Sequence, residues 1–322
     1  MILNVENLRI HYETRKGMVK AVDGVSFELK EKETLGLVGE SGSGKSTLGF
    51  GILKILPKTS KMSGKIMFGE ENLVEKSEKE MQQLRGKDIS MIFQDPMTSL
   101  NPIMKVKDHF IETIKTHIPD IEDEKAEKMA KEALEAVGID PVRINDYPFQ
   151  FSGGMRQRVM IALALVLNPK LVIADEPTTS LDVIVQAQIL ELLKDLKKRF
   201  NTSMILITHD LGVVAEMADR IAVMYAGHIV ELAESEKIYY EPKHPYTKSL
   251  LRSIPNTNIN DLELRYIPGS PPDLVNPPKG CRFAPRCSFA KNVCLEKEPP
   301  VVDVNGAKVK CWLYAGDENG DG

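Results

Sequence analysis

The chain has 322 residues, 42% apolar and 27% charged, with 42 basic against 46 acidic residues and a formal net charge of -4. That length favours two domains, one of them small. The charge balance lacks the basic footprint that nucleic acid or anionic lipid demands, so no nucleic acid is expected as a partner.

The start, Met1-Ile2-Leu3-Asn4-Val5-Glu6-Asn7, has neither a basic leader nor an apolar core and does not read as a signal peptide. The longest apolar run, residues 159–167, falls short of the roughly 18 residues that cross a bilayer. A soluble chain is expected, with other subunits spanning any membrane it serves.

Residues 2–12 and 20–30 alternate apolar and polar side chains around Lys16-Gly17 and are expected as antiparallel strands. The apolar run 34–38 leads into Gly39-Glu40-Ser41-Gly42-Ser43-Gly44-Lys45-Ser46-Thr47, which predicts strand, glycine-rich turn and helix. In such a turn, backbone N–H groups and the positive end of the helix face phosphate oxygens. Lys45 is placed to hold β- and γ-phosphates and Ser46 to ligate Mg2+. Residues 64–69 suggest a further strand. In the charged stretch 121–137, Ala126, Met129, Ala133, Leu134 and Val137 recur at helical spacing before Gly138, which predicts a helix within an insert covering about 98–160.

After Gly154 an apolar helix is expected to Leu167, stopped by Asn168-Pro169. The apolar run 171–174 predicts a buried strand that delivers Asp175 to its carboxyl end, where open α/β sheets bind ligands. Asp175 can there orient Mg2+ through water, which leaves Glu176 as general base toward the attacking water. Helix 185–200 and strand 204–208 follow, and His209 comes directly after the strand. A short helix and the strand pair 221–225 and 228–232 complete an alternation that implies a largely parallel sheet.

Nine of the 19 prolines fall between Pro255 and Pro300, a density that few regular elements survive. All four cysteines, Cys281, Cys287, Cys294 and Cys311, lie in or just beyond that stretch. They include no Cys-x-x-Cys pair, and well-spread thiolates in a loop-rich module suit a [4Fe-4S] cluster ahead of Zn2+, with disulfides behind both. Lys279, Arg282, Arg286 and Lys291 either offset the charge of such a cluster or are ordinary solvated charges.

The glycine-rich loop, Gln94 after Met91-Ile92-Phe93, Ser152-Gly153-Gly154, Leu171-Val172-Ile173-Ala174-Asp175-Glu176 and His209, in that order, resemble the ATP-binding cassette (ABC) of membrane transporters. The resemblance implies a P-loop NTPase fold over residues 1–235: a RecA-like parallel-sheet core, an antiparallel β subdomain and the helical insert. Residues 236–322 then form a small, loop-rich cysteine module. ATP and Mg2+ are the implied substrate and ion, with Gln94 reaching Mg2+ and the attacking water and His209 sensing the γ-phosphate. Pro177-Thr178-Thr179-Ser180-Leu181-Asp182 resembles the family's D-loop, and Tyr12 either stacks on adenine or packs within its strand. Ser152, Gly153 and Gly154 match a signature that completes the ATP site of a second cassette, so hydrolysis is expected to need a dimer. The usual form is Leu-Ser-Gly-Gly-Gln, from which this chain departs at Phe151 and Met155.

Further on, Ile238-Tyr239-Tyr240-Glu241-Pro242-Lys243-His244-Pro245-Tyr246, Pro268-Gly269-Ser270-Pro271-Pro272 and Gly280-Cys281-Arg282-Phe283-Ala284-Pro285-Arg286-Cys287 resemble the extension on ATP-binding subunits of dipeptide and oligopeptide importers. The implied partners are a second cassette (a homologue or the chain itself), two transmembrane permease subunits and, through them, an external peptide-binding protein. The chain is then peripheral on the cytoplasmic face of the membrane. Alternatives are an importer of nickel or another small solute, a soluble ABC ATPase acting on nucleic acid through a zinc-bound cysteine module, and an iron–sulfur sensor with a vestigial nucleotide site.

Overall fold

The computed structural model describes residues 1–179, 181–253 and 267–315; Ser180 of the D-loop segment and Pro255 lie outside the described residues. In chain order the described strands are β1 (Leu3–Thr14), β2 (Gly17–Leu29), β3 (Thr34–Val38), β4 (Ser60–Phe68), β5 (Glu71–Asn72), β6 (Ile89–Ile92), β7 (Leu171–Asp175), β8 (Ser203–Ile207), β9 (Arg220–Tyr225), β10 (His228–Glu234), β11 (Val301–Val304) and β12 (Ala307–Lys310). The chain divides into two compact units: residues 1–2, 29–34 and 75–207 in one, residues 3–28, 35–74 and the chain from Thr208 onward in the other.

In the first unit, β6, β7 and β8 run parallel, with Ile92 opposite Ala174 and Asp175 opposite Ile207. Every residue of β7 is buried, as its unbroken apolar run requires of a strand covered on both faces. The insert holds helices Val106–His117 and Asp123–Ala136, followed by Gly153–Leu165. Val106, Phe110 and Ile114 form a fully buried stripe at spacing four, as do Ala126, Ala130 and Leu134. The sequence reading found the second of these helices and missed the first. It also missed helix Glu78–Leu84, which buries only Met81 and so has no apolar period to detect. The legible signal there is the capping box: Ser77 N–H donates to Glu80 Oε2 at 2.7 Å and Glu80 N–H to Ser77 Oγ at 3.4 Å.

In the second unit, β2, β1, β4 and β5 lie side by side, and β4 pairs antiparallel with β1 (Leu3 with Phe68, Tyr12 with Ser60). The same unit pairs β3 parallel with β9, then adds β10, β12 and β11, each antiparallel to its neighbour. The hairpin β11–β12 lies just beyond the proline-dense stretch 255–300, and the sequence reading did not find it. Its turn is Asn305-Gly306, both at positive φ (54° and 80°), the conformation a two-residue hairpin selects Asn-Gly for. Val302, Val304, Ala307 and Val309 alternate inward around it. One apolar core in this unit includes Val38, Val223, Tyr225, Ile238, Tyr246 and Phe283, so the C-terminal module shares a core with β3 and β9. Among the described residues, no helix is long and apolar enough to cross a membrane.

Candidate nucleotide site and cysteine module

The turn between β3 and helix Lys45–Ile52 is shaped by backbone contacts that only glycine admits. Gly39 (φ 153°) and Gly44 (φ 104°) sit where an added Cβ would lie 2.0 Å from the Met224 carbonyl oxygen and 2.1 Å from that of Ala21. The chain is thereby wrapped around the Lys45 side chain, whose residue is only 6% exposed. Lys45 Nζ donates to the carbonyls of Gly39 (2.8 Å) and Glu40 (3.0 Å) and to Ser43 Oγ (3.5 Å). Gly44 caps the helix, so the first-turn N–H groups open toward the loop that contains Ser41, Gly42 and Ser43. Ser46 and Thr47 are half-buried in that first turn, and the Tyr12 hydroxyl donates to Thr47 Oγ1 at 3.4 Å, which places Tyr12 beside that helix.

In the first unit, β7 ends in buried Asp175 and the chain then turns abruptly: Glu176 has φ 45°, a left-handed conformation uncommon for a residue with a side chain. Its N–H donates to the Ile207 carbonyl at 2.8 Å, which fixes the bend. The Glu176 carboxylate accepts from Gln94 Nε2 and from Thr179 Oγ1, both at 2.9 Å on Oε2. Gln94 and Glu176, 82 residues apart, are thus brought together. Gln157 escaped that reading. It is 1% exposed, and its Nε2 donates to the Pro177 carbonyl at 2.7 Å, tying the helix Gly153–Leu165 to the segment after Glu176.

Ser152 is the N-cap of that helix, with Oγ accepting from Met155 N–H at 3.4 Å, and it is exposed at the helix's positive end together with half-buried Gly153 and Gly154. The two departures from the signature share one neighbour: the Arg143 guanidinium lies 4.1 Å over the Phe151 ring, and its Nη1 donates to Met155 Sδ at 3.4 Å. Asp182 is the N-cap of helix Val183–Phe200, accepting from the N–H groups of Ile184 and Val185, and Val183 and Ile184 beside it are exposed. His209 is exposed in the turn that follows Thr208, whose N–H donates to the Leu37 carbonyl of β3.

The four thiols line one narrow cavity together with His244 and Phe283, and none is in a disulfide. Among the described residues, however, no three His, Cys, Asp or Glu side chains are grouped as they would be around a single metal ion. Burial pushes the thiols of Cys281, Cys287 and Cys311 up, that of Cys311 to about 11. Backbone N–H groups of Phe289 and Lys291 donate to the sulfurs of Cys287 and Cys294, each at 3.4 Å. His244 caps helix Pro245–Arg252 with its ring, Nδ1 accepting from Tyr246 N–H at 3.0 Å. The proton of the neutral ring is therefore on Nε2, which is buried without a hydrogen-bond partner. Burial holds this imidazole neutral, its pKa lowered to about 3. Two of the four cations expected near the cysteines are engaged elsewhere: Arg282 pairs with Asp23 and Arg286 with Glu40. Sequence spacing carried no signal for those partners.

Residues 22–179 match the family model described as ABC transporter, and residues 230–294 match that of the oligopeptide/dipeptide transporter C-terminal region. The chain is 54% identical to an oligopeptide transport ATP-binding protein of Bacillus subtilis (strain 168), over 98% of this chain and 90% of that protein. It is 50% identical to a dipeptide transport ATP-binding protein of the same organism, over 97% and 94%. Among solved structures it resembles a dimeric ATP-binding cassette in a post-hydrolysis state bound to ADP and Pi, with a TM-score of 0.65 and 27% identity over 72% of this chain and 98% of that one.

Proposed function

Because the chain belongs to the ATP-binding subunits of oligopeptide and dipeptide ABC transporters, we propose that it hydrolyses ATP at the cytoplasmic face of the membrane to power peptide uptake. The observation that carries the catalytic assignment is the Glu176 carboxylate, fixed by Gln94 and Thr179 one residue beyond buried Asp175. In this reading Glu176 takes a proton from the attacking water and Gln94 orients both. Lys45 and the N–H groups of Gly42 to Thr47 hold the β- and γ-phosphates, and His209 contacts the γ-phosphate. Mg2+, when bound, offsets phosphate charge; Ser46, Asp175 and Gln94 are its assigned partners, an oxygen-donor set that suits a hard cation. Residues 1–235 would serve as the nucleotide-binding domain and 236–322 as the extension. Partners would be a second cassette, whose ATP meets Ser152, Gly153 and Gly154, two permease subunits and, through these, an external peptide-binding protein. Glu176→Gln tests the assignment: ATP binding retained with hydrolysis abolished supports it, and normal turnover in the assembled transporter refutes it.

We also infer that Cys281, Cys287, Cys294 and Cys311 hold a [4Fe-4S] cluster, with Zn2+ as the alternative. Four reduced thiols around one cavity, N–H donors to two of the sulfurs and a buried His244 Nε2–H in the same lining suit a sulfur-ligated, negatively charged group. A broad visible absorption band in anaerobically purified protein is the expected result; a colourless zinc-containing sample refutes it.

A further inference from the structure

The segment Cys281-Arg282-Phe283-Ala284-Pro285-Arg286-Cys287 reaches into the phosphate loop of its own unit. Arg286 has a side chain only 6% exposed, yet each of its five N–H groups has an acceptor. Nη1 donates to Glu40 Oε2 at 2.8 Å and to the Tyr225 hydroxyl at 3.2 Å. Nη2 donates to Glu40 Oε1 at 3.0 Å and to the Ile267 carbonyl at 3.1 Å, and Nε to the Pro268 carbonyl at 2.9 Å. This is the fork geometry that a guanidinium offers a carboxylate and an ammonium does not.

Glu40 is the second residue of the glycine-rich turn, and it is gripped at three points. Arg286 takes its carboxylate, the Tyr246 hydroxyl accepts from its N–H at 2.9 Å, and its carbonyl accepts from Lys45 Nζ at 3.0 Å. Tyr246 is itself immobilised, fully buried against Tyr225 and Phe283 with ring centroids 4.5 and 5.4 Å away. A carboxylate in a loop that receives a triphosphate opposes binding unless a cation offsets it.

We propose that Arg286 and Tyr246 are positioning residues of the nucleotide site: they neutralise Glu40 and hold the Gly39–Gly44 turn, so that the C-terminal module sets the loop's affinity for nucleotide phosphates. The proposal rests on the reading of that turn as the phosphate loop. It requires no group bound at the cysteines.

ATP titrations into the full-length chain test it. Arg286→Met weakens ATP binding about tenfold, the scale of one charge-assisted hydrogen bond. The double variant E40Q/R286M recovers most of that loss, because removing the carboxylate removes what the guanidinium offset. In the assembled transporter Arg286→Met raises the KM for ATP while kcat stays within about twofold. Binding within about twofold of wild type in Arg286→Met overturns the proposal, and so does a double variant as weak as the single one. Should Arg286→Met not fold, Tyr246→Phe deletes only the hydroxyl that accepts from Glu40; a weakening of about threefold is expected, and unchanged affinity overturns the proposal. Lys45→Ala separates the two levels: unchanged ATP binding in that variant overturns the phosphate-loop reading itself, whereas lost binding there beside an unaffected Arg286→Met overturns the Arg286 role alone.

Discussion

Gln94 Nε2 donates to Glu176 Oε2 at 2.9 Å, and the same oxygen accepts from Thr179 Oγ1, so two donors from different segments converge on one carboxylate oxygen. Gln94→Ala removes the longer-range of the two restraints. Hydrolysis is expected to fall about tenfold, the worth of one orienting hydrogen bond, with ATP affinity unchanged. Parallel ATP titration and phosphate-release assays on the assembled transporter check the split.

Gly39→Ala places a methyl group 2.0 Å from the Met224 carbonyl oxygen, and neither backbone can yield without opening the turn around Lys45. The variant is expected to lose about 2 kcal/mol or more of stability and to bind ATP poorly. Urea unfolding and ATP titration of the same sample report both effects. Gly42→Ala is the control, since nothing lies within 4 Å of its added methyl, and its φ of 76° leaves only backbone strain.

Gln157→Leu keeps most of the buried volume but leaves the Pro177 carbonyl without the amide at 2.7 Å. A loss of about 1–3 kcal/mol is expected from a buried acceptor stranded in this way, together with reduced turnover because the segment after Glu176 loses its anchor. Thermal unfolding and ATPase rate are the measurements. Wild-type values for both would show that the amide holds nothing in place.

Glu127 lies between Lys107 and Lys131, and hydrogen bonds from these ammonium groups pull its pKa from 4.5 to about 2. A carboxyl whose folded pKa is depressed adds stability above its unfolded pKa and loses it as pH falls through the folded one. The stability difference between wild type and Glu127→Gln is therefore expected at pH 6 and to shrink between about pH 4.5 and pH 2. The pair is at the surface, so added salt should shrink it as well. Urea midpoints for both proteins across that pH range decide it.

Much of the fold and of the candidate site was legible in short windows. The strand before Gly39, the capped helix at Ser152 and the buried strand ending at Asp175 each follow from residues within a few positions, because hydrogen bonds along a helix or around a turn join near neighbours. Two local signals were present and went unread, the Ser77/Glu80 capping box and the Asn305-Gly306 hairpin turn. Helix Val106–His117 was missed although Val106, Phe110 and Ile114 mark its face, since three apolar positions among charged ones are a weak period.

Local chemistry is what the residues alone carry: a glycine-rich turn before Lys45, an acidic strand end at Asp175 and Glu176, and four cysteines confined to the last part of the chain. The charge partners come from long-range packing. Arg282 and Arg286, which by sequence belong with the cysteines, pair with Asp23 and Glu40, 259 and 246 residues away in the chain. Charge has no period and no preferred separation along a chain, so which carboxylate a buried guanidinium meets is fixed by how β3, β9 and the C-terminal module pack around Tyr225, Tyr246 and Phe283.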